Sequence, residues 1–293
     1  MWPWTDRVGR ISPLKSAVFI MTLVPALWLV VEAMQGWLGE RPVMEAIHQT
    51  GLWSVRLLAM TLAITPLQQA MRWPRLVGVR RLLGVSVLAY AALHFMLYVV
   101  NQNFDLPHVG LEILFRLYLL IGFVAFCGLS VLGVTSADGM IARLGSERWA
   151  RLHKIVYGIM VLASLHFFMQ SKLDVTEPTL MAGIFFLLMA HRIVRFRKRA
   201  LTIVQTALLG ASAAFITVFS EALYFVLAYH APLAQVLAAN LDFSFKVRPG
   251  WYVLFAGFLL LCARLARPFF QRNPAASSFS KAPESSLPVS AES

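Results

Sequence analysis

Two histidines, His94 and His166, lie inside hydrophobic stretches that read as membrane spans. An imidazole placed in lipid is costly unless a ligand or a polar partner holds it. The chemistry open to such a pair is axial ligation of a haem iron, one ring from each of two facing helices. That demands equal depth. With spans expected over 82–100 and 152–169 running in the same direction, the two histidines stand about 18 and about 21 Å from the starts of their helices. Taken singly, each is more ordinarily a hydrogen-bonded core residue. Their common depth favours the iron.

The elements that must position them follow from composition. Hydrophobic residues make up 59% of the chain and charged residues 14%, which excludes an ordinary soluble domain and indicates a polytopic membrane protein. An all-α transmembrane helix bundle is expected, with helices over roughly 15–33, 50–67, 82–100, 113–133, 152–169, 178–194, 201–229 and 250–266. A net charge of +12 would suggest nucleic acid in a soluble chain; here the basic residues fall in short loops, where they set orientation, and no nucleic-acid partner is expected. Cys127 and Cys262 lie in apolar stretches and form no metal or disulfide pattern.

Arg72, Arg75, Arg80 and Arg81 follow the second span; Arg143, Arg148, Arg151 and Lys154 precede the fifth; Arg192, Arg195, Arg197, Lys198 and Arg199 follow the sixth. The alternate segments hold Asp105, Glu112, Asp174 and Glu177 instead. By the positive-inside rule both termini are cytoplasmic, and the histidine pair belongs to the outer half of the membrane. The first span, preceded by Arg7, Arg10 and Lys15, reads as a retained anchor and not a signal peptide.

One haem is favoured over two. His153, at the inner end of the fifth span, points about 140° around the helix from His166. The matching depth of the third span holds Arg80 and Arg81. His108 follows Pro107 in a polar stretch and reads as a surface-loop residue, while His191 abuts the 192–199 basic run and reads as part of a solvated, lipid-phosphate-facing end. Arg80, Arg81, His153 and Lys154, beside Trp149 and Tyr157, suit an anionic phosphate with a flat ring nearby. Positive-inside anchoring accounts for the arginines equally well. Arg56 and Arg116, toward the outer ends of the second and fourth spans, either meet haem propionates or snorkel to the interface. Glu221 reads as isolated, and His230 as interfacial.

The ordered set Thr50-Gly51, Thr65-Pro66-Leu67, Arg80-Arg81-Leu82-Leu83-Gly84, Ala92-Leu93-His94, Leu152-His153 and Leu165-His166 resembles the MsrQ (YedZ) family, within the ferric-reductase-like transmembrane superfamily, over roughly residues 10–200. The resemblance implies a bacterial inner-membrane protein that passes electrons through FMN and haem b to MsrP, a periplasmic molybdopterin-containing subunit that reduces methionine sulfoxide in oxidised proteins. The quinone pool or a cytosolic flavin reductase would be the donor. It further implies that His94 and His166 are the haem ligands, that His153 is another family histidine, and that FMN at the inner side takes the place of a second histidine pair. Turnover of methionine sulfoxide would belong to the partner.

The division expected is a cytoplasmic N-terminus over 1–14, a six-helix ferric-reductase-like haem-binding domain over 15–200, a two-helix extension over 201–270 and a disordered cytoplasmic tail over 271–293. The extension departs from the family pattern and either packs against lipid or touches the periplasmic partner. Two competing readings stand. One is a ferric-reductase-like cytochrome b serving another acceptor, which would need a separate reductase because no GxGxxG follows a strand. The other is a cofactor-free transporter, against which no internal repeat is found.

Overall fold

The computed structural model describes residues 4–5, 9–171, 174–198, 201–244 and 246–268. Its helices are α1 (Pro13–Gln35), α2 (Pro42–Met71), α3 (Arg80–Asn101), α4 (Leu106–Phe115), α5 (Leu117–Val134), α6 (Asp138–Leu144), α7 (Ser146–Leu152), α8 (Val156–Gln170), α9 (Thr176–Lys198), α10 (Ile203–Tyr229), α11 (Leu233–Ala239) and α12 (Pro249–Leu265). Seven segments are long and apolar enough to cross a membrane, and α12 is a shorter apolar helix. The chain is an all-α, multi-pass membrane protein, as its hydropathy requires. Proline stands in the first turn of α1, α2, α4 and α12, where its missing N–H costs nothing. Gly36 ends α1 in the left-handed region at φ 69°.

The core forms where α2 lies along α3 and α5 lies along α8, closing over Leu57, Leu62, Val87 and Met160. α1 is joined to this core by a polar device. Pro25 interrupts the α1 hydrogen-bond ladder. Tyr90 of α3 fills the gap: its hydroxyl accepts from the Ala26 N–H at 2.9 Å and donates to the Thr22 carbonyl at 2.8 Å. Backbone groups inside a membrane must be satisfied within the protein, and one phenol satisfies two of them.

Several boundaries differ from the sequence reading. α2 starts at Pro42, not near residue 50, because the polar run around Glu45 and His48 is helix above the apolar window. The expected fourth helix is broken at Arg116, whose backbone is extended at φ −105° and ψ 104°. Arg116 is therefore a junction residue and not part of a span. The stretch read as loop around His108 is α4, whose first turn is capped by Asp105 accepting from the His108 N–H at 3.0 Å. The fifth span begins with α7 and a 3₁₀ turn over His153–Ile155 before α8. The tail expected over 271–293, together with Arg7 and Arg199, lies outside the described residues.

In the extension, α10 and α12 pack against each other, both contact α9, and α12 also contacts α2. The α10–α12 crossing is a glycine-to-glycine contact, as close helix approach in lipid favours. A Cβ at Gly257 would stand 2.5 Å from the Gly210 Cα, a backbone atom that cannot step aside. Gly257→Val is expected to cost about 1–3 kcal/mol by overpacking, read as a lower thermal midpoint in detergent with the helix content of the folded protein unchanged. Glu221, read as isolated, is 1% exposed and paired with Arg248 at 3.3 Å. The partner lies at the start of α12, 27 residues away, beyond the reach of a local pattern. His191, read as solvated, is only 5% exposed, on a helix that packs against α2, α8, α10 and α12.

Candidate functional site

His94 projects from α3 and His166 from α8, and their ring centroids are 6.3 Å apart with the planes at 84°. The His94 Nδ1 is 2.8 Å from the Ile47 carbonyl oxygen of α2. The His166 Nδ1 is 2.8 Å from the Tyr118 carbonyl oxygen of α5. A carbonyl only accepts, so each Nδ1 carries the ring proton and donates, leaving each Nε2 with its lone pair.

Both seats are built in the same way. The fourth residue after Ile47 is Gly51, and the fourth after Tyr118 is Gly122. One helical turn separates carbonyl from glycine, so both lie on one face. A Cβ at Gly51 would stand 2.9 Å from the His94 Nδ1, and one at Gly122 would stand 2.8 Å from the His166 ring. Each glycine strips the helix surface to its backbone and lets the imidazole reach the carbonyl beneath.

The rings face a cavity of about 510 Å³. Its deep walls are apolar, with Val55, Phe95, Phe126, Leu129 and Phe167; Phe95 and Phe126 stack at 5.3 Å. Its mouth is polar, with Glu45, His48, Gln49, Asp174 and Glu177. Among the described residues no cluster of three or more His, Cys, Asp or Glu side chains could hold a bare metal ion. Two imidazoles with free Nε2 atoms suit instead a metal that brings its own equatorial ligands in a flat apolar body. A metal–nitrogen bond of about 2 Å plus about 1 Å from nitrogen to ring centre sets two axial rings about 6 Å apart, as found here. An iron porphyrin therefore fits the donor set, the spacing, the proton positions and the apolar walls.

The other residues singled out in the sequence divide into groups. Arg56, about four turns into α2, pairs with Glu177 of α9 at 2.7 Å and stacks over Trp53 at 5.1 Å. Glu177 lines the cavity, and its second oxygen is buried without a partner. Arg116 pairs with Glu112 at 2.6 Å and donates to the Tyr118 hydroxyl at 3.2 Å. At the opposite end His153 stacks on Trp149 at 3.9 Å, its Nδ1 3.1 Å from the Trp149 carbonyl and its Nε2 3.3 Å from the Ser136 hydroxyl. Arg80 lies within electrostatic reach of both His153 and Arg192. Arg81 pairs with Asp138 at 2.5 Å, while Lys154 is exposed. Sequence reading missed His48, placed just before the expected second span, and Arg192, whose guanidinium is 5.5 Å from the Tyr157 ring centre and donates to the Leu62 carbonyl. The signal for His48 was its three-residue spacing from Gly51, which puts both on one face of α2.

Lys246 of the extension reaches the mouth, where its ammonium is 2.8 Å from Asp174 and holds that carboxyl down at about 2. A depressed carboxylate contributes stability that is present above its unfolded value of about 4 and is lost only as pH falls through about 2. Asp174 thus keeps its charge across the neutral range, and its pair with Lys246, being exposed, contributes little to folding.

The ferric-reductase-like transmembrane component family matches residues 50–164 of this chain. Among curated relatives, the protein-methionine-sulfoxide reductase haem-binding subunit MsrQ of Rhodospirillum rubrum is 37% identical over 190 residues, covering 64% of this chain and 89% of that protein. The subunit of the same name from Caulobacter vibrioides is 36% identical over 184 residues, 62% of this chain and 88% of its own. That from Xanthomonas axonopodis pv. citri is 39% identical over 191 residues, 61% and 87% respectively. No solved structure matches.

Proposed function

This chain belongs to the MsrQ family of protein-methionine-sulfoxide reductase haem-binding subunits, and we propose that it is the membrane electron-transfer subunit of such a system. The observation that carries this reading is the pair of matched seats, each fixing one imidazole with its Nε2 free, 6.3 Å apart across an apolar cavity. His94 and His166 would hold haem b through their Nε2 atoms. The haem would supply a one-electron carrier in the outer half of a bacterial inner membrane. The Ile47 and Tyr118 carbonyls keep the Nδ1 protons in place and the rings oriented. The phenylalanine-rich walls exclude water. Arg56 and Arg116 would meet haem propionates by exchanging their carboxylate partners Glu177 and Glu112.

At the basic end, Arg80, Arg81, His153 and Lys154 with the Trp149 ring would take the phosphate and flat ring of FMN, filled from the quinone pool or a cytosolic flavin reductase. With both termini cytoplasmic, electrons would leave at the polar mouth to a periplasmic molybdopterin subunit, MsrP. Residues 15–200 would form the haem-binding unit and 201–270 an appended one.

The test is a reduced-minus-oxidised spectrum of the purified protein with haem and flavin quantified together. About one low-spin b haem and about one FMN per chain support the relay. Two haems without flavin would assign His153 to iron, and the absence of both cofactors would return the histidines to the core. His153→Ala is expected to retain its haem and to be reduced more slowly by the donor. Loss of all haem in that variant would contradict the flavin assignment.

A further inference from the structure

Four arginines from the ends of three helices lie within electrostatic reach of one another at the basic end of the bundle. Arg267, just past α12, donates from Nε to the Ala70 carbonyl and from Nη2 to the Gln69 carbonyl at 3.3 Å, where α2 ends. Arg72, two residues on from Ala70, closes α2 in a left-handed conformation at φ 53° and is exposed. Arg264, one turn before Arg267 on α12, reaches the Thr206 hydroxyl at 3.4 Å. Arg195 stands on α9, which packs against α12. None of the four forms an ion pair among the described residues, although other arginines of this protein do.

His191 lies one turn before Arg195 on α9 and is 5% exposed, and its Nδ1 is buried with no hydrogen-bond partner. A buried ring nitrogen without a partner is costly. One without a partner beside unpaired guanidiniums marks a place where an oxygen-rich anion is missing its contacts. Burial and the nearby Arg264, Arg72 and Arg195 charges push the Arg267 guanidinium down from its ordinary value, the direction expected of cations crowded without a counter-ion.

Positive-inside anchoring asks only for charges that reach the lipid surface. It gives no reason to turn Arg264 and Arg267 inward onto α10 and α2 or to bury a histidine beneath them. We propose that the junction of α2, α9 and α12 binds a phosphate group through Arg72, Arg195, Arg264 and Arg267, with His191 as a buried further donor. Its chemistry is that of an anionic phospholipid headgroup or of free phosphate. Arg264 and Arg267 belong to the extension, and more than a third of this chain is unmatched by the relatives named above. The site is thus a property of the longer chain and would fasten the extension to the bundle.

The experiment is native mass spectrometry of the full chain in detergent, offered phosphatidylglycerol, phosphatidylcholine or inorganic phosphate. Retention of phosphatidylglycerol over phosphatidylcholine is expected, weakened at least about tenfold in Arg264→Gln/Arg267→Gln and kept in Arg264→Lys/Arg267→Lys. Arg197→Gln, which removes an exposed charge from the same end of α9, should bind as wild type. Where the double glutamine variant does not fold, Arg72→Gln replaces it, since it leaves the Arg267 contacts intact. Displacement of the lipid by millimolar phosphate identifies free phosphate as the ligand, and failure to displace identifies the lipid. Retention of neither probe, or an equal loss in Arg197→Gln, overturns the site.

Discussion

His94→Ala and His166→Ala are each expected to leave at most about a tenth of the wild-type haem per purified chain, with the apoprotein still helical and monodisperse. Each variant removes one of the two imidazoles that stand 6.3 Å apart, and with it one of the two protein bonds that the proposed ligation would make to iron. The apolar walls alone offer dispersion but no ligand to the metal. Among the described residues no group of three or more His, Cys, Asp or Glu side chains is placed to hold a metal ion, so the further histidine of the cavity lining, His48, does not complete a substitute site with the remaining ring. The measurement is the Soret absorbance relative to protein, with pyridine haemochrome as the count. A wild-type-like spectrum in either variant would sink the two-helix ligation, because a bis-imidazole site cannot keep its spectrum with one imidazole gone.

Gly51→Val and Gly122→Val should be nearly as damaging, though neither residue has a side chain that could touch iron. Even a Cβ at these positions comes within 2.9 Å and 2.8 Å of a ring that is tied to the carbonyl below it. The imidazole must then lift from its seat, lose its Nδ1–H bond and carry its Nε2 away from the position from which it would hold the haem. Loss of an orienting hydrogen bond alone typically costs about tenfold or more in metal affinity, and the displaced ring adds to that. The expected result is haem depletion of at least about tenfold, or conversion of the remainder to a high-spin spectrum. Gly84→Val serves as the control, since a Cβ at Gly84 meets nothing within 4 Å. Haem content in the Gly51 and Gly122 variants equal to that of the control would show that the rings are not seated as described.

Much of this was legible in the chain. The multi-pass helical character and the common depth of the histidines came from apolar run lengths, which the bilayer thickness constrains strongly; of the eight spans expected, seven are long and apolar enough to cross a membrane and the last, α12, is shorter. The seats were not, because a glycine in an apolar helix is compatible with many neighbours and only the facing helix selects one. The break at Arg116 falls at a single charged residue flanked by apolar ones, and periodicity carries no information about one extended residue. Glu221 and His191 were misjudged for a related reason. Their surroundings include helices far along the chain, α12 among them, and a local reading sees only the polar residue and the basic run beside it. Arg56 was recognised as unusual, but Glu177, its counter-ion, lies 121 residues away.

The arrangement of ligands and seats has a bearing on biogenesis. His94 on α3 is seated by α2, the span immediately before it; His166 on α8 is seated by α5, again the preceding span. Each imidazole can therefore be oriented inside its own helical hairpin as that hairpin leaves the insertion machinery, independently of the other. What remains for the last stage is to bring two finished halves together, and a metal that needs both would act as the clasp that closes them.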